Sequence, residues 1–74
     1  MDKLIKIFDE SRYYYTIETK SRIEVPFADC SCSIVVVNNQ YKVYVFNKDN
    51  DIIKESKWYK RPKYTVNYII NNVN

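Results

Sequence analysis

Glycine and histidine are both absent from these 74 residues. Phosphate-cradling loops of the P-loop and dinucleotide types depend on glycine for tight turns and close backbone approach, so neither is available here. Nucleophile pairs of the Ser-His and Cys-His kind are excluded with histidine. Cysteine occurs twice, as Cys30 and Cys32, and two thiols without histidine do not complete a tetrahedral zinc site. Alanine and leucine occur once each, at Ala28 and Leu4, which removes the commonest helix formers. No apolar run approaches a membrane span, and residues 1–8 carry Asp2, Lys3 and Lys6 in place of the apolar core of a secretory signal. The expectation from these absences is a cytoplasmic protein with reduced thiols, no cofactor, no metal and no membrane association.

What is present leans to sheet. Eight tyrosines stand among many isoleucines and valines, residues that suit a pleated, half-buried surface. Ile, Asn, Lys and Tyr dominate, and all four have A/T-rich codons, the signature of a low-GC genome such as those of many bacteria and their phages. The length allows one small β-rich domain over residues 1–70, with residues 71–74 expected to fray. So short a chain has little stability to spare, which makes a homodimer a reasonable expectation.

Alternation of apolar and polar residues marks strands over residues 30–37 and 40–47, with Asn38 and Asn39 between them. Asparagine tolerates the left-handed backbone of a two-residue hairpin turn. That register sets Val36 opposite Tyr41, Ile34 opposite Val43 and Cys32 opposite Val45, making one face wholly apolar. Residues 52–59 extend the meander, with Trp58 opposite Tyr41, and residues 63–70 read as a last strand showing Tyr64, Val66, Tyr68 and Ile70 on one side. Upstream, residues 12–19 and 22–27 form a hairpin that opposes Ile17 to Ile23, Tyr15 to Val25, Tyr13 to Phe27 and Glu18 to Arg22. Residues 4–8 fit either a strand or, through Met1, Leu4, Ile5 and Phe8, one face of a short helix. The expected fold is therefore all-β, with a short N-terminal helix as the alternative start: an antiparallel meander of five or six strands forming a small sandwich or partly open barrel. A second face carrying Val35, Val37, Tyr44, Phe46, Ile53, Tyr59 and Ile69 is also apolar, too much to leave bare on a soluble monomer.

Carboxylates occur at Asp9 and Glu10, Asp49 and Asp51, and Glu55, and read as solvated turn residues. Cys30 and Cys32 share a strand face and continue the apolar row of Ile34 and Val36 as small hydrophobes. Charge is uneven: residues 1–37 sum to 5 − 6 = −1 and residues 38–74 to 7 − 3 = +4. Residues 54–64 gather Lys54, Lys57, Lys60, Arg61 and Lys63 around Trp58, Tyr59 and Tyr64, a mixture that suits single-stranded nucleic acid or a protein surface. We expect a small non-enzymatic protein of a phage or mobile element. It would inhibit or modulate a larger host protein, such as a defence or nucleic-acid-handling complex, through Tyr44, Phe46, Lys57, Tyr59, Lys60, Arg61 and Lys63. The alternative is a single-stranded nucleic-acid-binding barrel module that uses the basic, aromatic 54–64 segment.

Overall fold

The computed structural model describes residues 2–11 and 13–73. Helix α1 (Asp2–Ser11) leads into strands β1 (Thr16–Thr19), β2 (Arg22–Pro26), β3 (Ser31–Val37), β4 (Gln40–Phe46) and β5 (Ile52–Glu55), and helix α2 (Pro62–Val73) ends the chain. The five strands form one open antiparallel sheet in sequence order, the expected meander. The short N-terminal helix is the start the chain adopts. It buries Leu4 and Phe8, four apart and so on one helical face. Met1 of the expected helical face lies outside the described residues.

The central hairpin follows from its turn. Asn38 and Asn39 have φ of 51° and 60°, the left-handed pair of a type I′ turn whose twist matches the flanking strands. It aligns Val36 with Tyr41, Ile34 with Val43 and Cys32 with Val45, as the alternation predicts. Ile17 opposes Ile23 in the first hairpin, but a register shift after Ile17 sets Thr19, not Glu18, opposite Arg22. Tyr13 and Phe27 meet edge to face with ring centroids 5.8 Å apart. Tyr14, between two inward-leaning rings, is 86% exposed.

Residues 63–70 are not a strand. Pro62 opens a helix, where its fixed φ is preorganised and its missing N–H costs nothing. The alternation of Tyr64, Val66, Tyr68 and Ile70 coexists with a helical spacing, and burial selects the helical one: Thr65, Val66 and Ile69 are buried, with Tyr68 and Val73 partly so. Residues 71–73, expected as part of the tail, form its last turn, while Asn74 lies outside the described residues. Lys54 Nζ donates to the Asn72 carbonyl at 3.1 Å, satisfying an acceptor that the helix end leaves open, and Asn72 Nδ2 adds a side-chain bond to the Tyr68 carbonyl at 2.9 Å.

Both helices lie over one face of the sheet. The core joins Leu4 and Phe8 to Ile23, Val25, Cys32, Ile34, Tyr41, Val43 and Val45 of the sheet and to Val66 and Ile69 of α2. Neither sandwich nor barrel closes, because the segment expected to supply the last strand becomes the second helix of the covering layer. The opposite sheet face is left without a second layer among the described residues. Edge strands β1 and β5 are short and exposed along their whole length, and each pairing has an irregularity, features that discourage edge-to-edge association.

Candidate functional site

The pairing beyond β5 decides which aromatics face outward. Val43 is bonded to Ser56 on the neighbouring segment: Ser56 N–H donates to the Val43 carbonyl at 2.8 Å, and Val43 N–H to Ser56 Oγ at 2.8 Å. The next pair is Tyr41 with Tyr59. One residue separates 41 from 43, whereas two separate 56 from 59, so Lys57 and Trp58 together oppose Lys42. An extra residue of this kind switches the faces of everything beyond it. Trp58 is therefore not on the covered side opposite Tyr41, as the uninterrupted alternation predicts. It lies on the bare side, 41% exposed, with Lys42 Nζ 5.8 Å from its ring centroid. Tyr59 takes the covered side, its ring 6.2 Å from Tyr64 and 6.4 Å from Tyr68. Ile69 is buried in the core, so it too leaves the expected outer face.

The bare face carries Val35 and Val37 of β3, Lys42, Tyr44 and Phe46 of β4, Ile52 of β5, and Trp58. Val37 and Ile52 are about half exposed, at 48% and 55%, and Tyr44 and Phe46 are half-buried. Four of its charges pair within the face, while Glu18 at its border belongs to no ion pair among the described residues. Arg22 Nε donates to Glu24 Oε1 at 2.6 Å, and Lys42 Nζ lies 3.9 Å from Glu55 Oε1 while sitting 5.2 Å from the Tyr44 ring centroid. Ser33, buried beneath Arg22 and Glu24, donates to the Glu24 carboxylate, its Oγ lying 2.8 and 2.7 Å from the two oxygens, and accepts from Arg22 Nη2 at 3.1 Å. Arg22, Glu24 and Ser33 also line an open hollow of about 640 Å³ with Glu18, Ser31 and Phe46. Every polar group of that trio is held by another member, an arrangement that rigidifies a surface.

The seven expected contact residues do not form one patch. Tyr44 and Phe46 belong to the bare sheet face. Tyr59 packs under α2, and Lys57, which is exposed, has its Nζ 5.8 Å from the Tyr59 ring centroid. Lys60, Arg61 and Lys63 line a second groove, between α1 and the start of α2, together with Lys3, Lys6, Ile7 and Tyr41. Trp58, Val35 and Val37 complete the outer face. Val35 and Val37 are legible from the hairpin alternation, but Trp58 appears there only through the bulge.

The thiols are free. Burial, then Cys30 and Glu24 nearby, pushes the Cys32 thiol up to about 12, so it stays protonated and unreactive at neutral pH. Among the described residues, no three or more His, Cys, Asp or Glu side chains gather in a way that would hold a metal ion. Among them also, no helix is long and apolar enough to cross a membrane. The chain matches none of the protein families, curated proteins or solved structures with which it was compared.

Proposed function

We propose that this chain is a small non-enzymatic binding protein that docks on a larger host protein through its bare sheet face and so inhibits or modulates it. The observation that carries this reading is the character of that face: valine, isoleucine, tyrosine, phenylalanine and tryptophan together, with four charges paired among themselves. Aromatic residues with few unpaired charges are what protein interfaces concentrate at their centres. At ~4.8 Å between strands and ~3.3 Å per residue, five strands of up to seven residues make a face of roughly 20 by 23 Å, the scale of one side of a modest interface. The matching partner is an apolar, uncharged patch on a rigid surface. A neutral face offers little to nucleic acid, whose affinity comes mainly from unpaired cations. The 54–64 segment also sends Trp58 and Tyr59 to opposite sides of the sheet, which counts against it as a continuous stacking platform. The prevalence of Ile, Asn, Lys and Tyr, whose codons are A/T-rich, agrees with a phage or mobile-element accessory protein directed at a defence or nucleic-acid-handling complex.

The test is capture of stoichiometric partners from a low-GC bacterial host, comparing the native chain with Val37→Asp and Tyr44→Lys variants of confirmed fold. A partner held by the native chain and lost with both variants supports the reading. Equal capture by all three, or no stoichiometric partner, refutes it. Self-association abolished by Val37→Asp also refutes it, by assigning the face to a second copy.

A further inference from the structure

The groove between α1 and α2 holds the protein's entire net charge. Its lining includes Lys3, Lys6, Lys60, Arg61 and Lys63 against Asp2 and Glu10, which is 5 − 2 = +3, and the whole chain is 12 − 9 = +3. The remaining residues sum to 7 − 7 = 0. Helical spacing places Lys3, Lys6, Ile7 and Glu10 along one side of α1, and the Lys60–Lys63 stretch that opens α2 faces them across the groove. All five basic side chains belong to exposed residues. The ion pairs among the described residues join Arg22 to Glu24, Lys42 to Glu55 and Lys48 to Asp29, and none involves these five. Bringing five cations together against two carboxylates leaves self-repulsion that Asp2 and Glu10 offset only in part, and an anionic occupant would relieve the rest.

We infer that this groove takes an acidic segment of the partner protein, with Asp or Glu side chains meeting the five cations and an apolar residue seated on the floor. The inference rests on the reading of the chain as a docking protein and adds the chemistry of what it docks to. The floor decides between an acidic peptide and a nucleic acid. It is made by Ile7 and Pro62, both half-buried, and by Tyr41, only 6% exposed. Bases need open ring faces to stack upon; the one aromatic lining the groove is sealed, and the exposed Tyr64 next to it has Lys63 Nζ 5.3 Å from its ring centroid. Aliphatic side chains need only apolar surface of this kind. The space, about 960 Å³, is at the upper end of ligand-pocket size and admits a short stretch of chain. The groove lies on the helix side of the sheet and the neutral face on the other, so a partner engaging both reaches around the sheet, the groove speeding encounter and setting orientation and the sheet face supplying buried area.

The test measures fluorescence anisotropy of the full chain with three labelled probes: a peptide of Asp, Glu and Leu, the same peptide with Asn and Gln for the carboxylates, and oligo-dT. We expect saturable binding of the acidic peptide at low salt, at least about tenfold weaker at ~0.5 M salt, with no binding of its amide counterpart. Reversal of the exposed trio, K60E/R61E/K63E, weakens binding at least about tenfold, and K60Q/R61Q/K63Q gives the same direction without added repulsion. Lys48→Gln, an exposed position in the turn between β4 and β5 and outside both surfaces, leaves the peptide affinity unchanged. The inference is overturned by absence of saturable acidic-peptide binding at low salt, by unchanged affinity in either trio variant, or by loss of affinity in Lys48→Gln. It is equally overturned by tighter binding of oligo-dT, which assigns the groove to nucleic acid. Since no host partner enters this assay, its failure is separate from failure of the capture experiment.

Discussion

Tyr41 and Tyr59 exchange two backbone hydrogen bonds, each N–H donating to the other's carbonyl at 2.7 Å. This pair ties the linker after β5 back to β4 and fixes the point from which α2 starts. Their side chains share the covered side, where Tyr59 lies against Tyr64 and Tyr68. Truncation of Tyr59 removes that ring cluster while leaving the backbone pair. We expect Tyr59→Ala to destabilise the fold by about 2 kcal/mol, below the full cost of a buried aromatic because the residue is half-buried. Urea unfolding followed by circular dichroism checks this, and a loss below about 0.5 kcal/mol would remove Tyr59 from the determinants of α2 docking.

The hairpin turn gives a prediction of opposite sign for two substitutions at one position. Asn39 sits at φ 60°, a left-handed conformation that penalises a Cβ unless the side chain compensates. Asn39→Ala should cost about 1 kcal/mol, and Asn39→Gly should be neutral or stabilising by up to about 0.5 kcal/mol, since Asn-Gly is the preferred pair for this turn. Thermal melts of the two variants beside the native chain decide it. Equal melting temperatures would mean that β3 and β4 hold their register without help from the turn.

These two sites mark the boundary of what the residues disclose before folding. The Asn38-Asn39 turn and the rows it aligns are legible because a two-residue loop allows one register and a slip would bring Lys42 into the core. Opposition of Ile17 and Ile23 is legible from the apolar alternation of the two strands, whereas the irregularity between that pair and the turn is not. The helix at Pro62–Val73 is not, because its β-branched and aromatic residues satisfy periods of both 2 and 3.6, and the choice is made by the apolar sheet face beneath it. Pro62 is a local signal for helix entry, but proline marks loops as readily as first helical turns. Trp58 and Tyr59 exchange sides because one inserted residue is invisible to a count of alternation. Half the cationic groove was legible as the basic run near Arg61. Its other half, Lys3 and Lys6, joins it only when α1 packs beside the start of α2.

Cys32 makes stability depend on alkaline pH. Its folded-state value of about 12 lies above the unfolded 9.0, so the native state holds a proton that the unfolded state releases between those values. The contribution is fully present below pH 9.0 and is lost as pH rises toward about 12. Within that window the slope contributed by this thiol approaches −1.4 kcal/mol per pH unit, an upper bound because solvent can penetrate on ionisation. Tyr15 acts in the same direction: its hydroxyl donates to Asp9 Oδ1 at 2.7 Å, which raises it above 10.0, with burial and the Asp9 charge adding to the effect. Cys32→Ala should therefore flatten the stability profile above pH 9.0 while lowering stability at neutral pH through lost packing. Parallel profiles for the native chain and the variant between pH 8 and pH 11 would show that this thiol is not shielded.

Thr65 offers the reverse case, a substitution expected to help. Its side-chain oxygen is buried with no hydrogen-bond partner among the described residues, although the residue is fully enclosed beside Val66 on the inner side of α2. A helical threonine often bonds a carbonyl one turn back, which would satisfy it, and here it does not. Burying an unsatisfied hydroxyl costs about 1–3 kcal/mol, and an apolar group of the same shape avoids that cost. Thr65→Val keeps the branched shape and replaces the hydroxyl by a methyl, so it should raise stability by about 1 kcal/mol and move the urea midpoint upward without changing the slope. Thr65→Ser keeps the hydroxyl and removes the methyl, and should lower stability. If Thr65→Val destabilised the chain while Thr65→Ser did not, the hydroxyl would have to be engaged in solution, and the inner packing of α2 against the sheet would differ from the one described here.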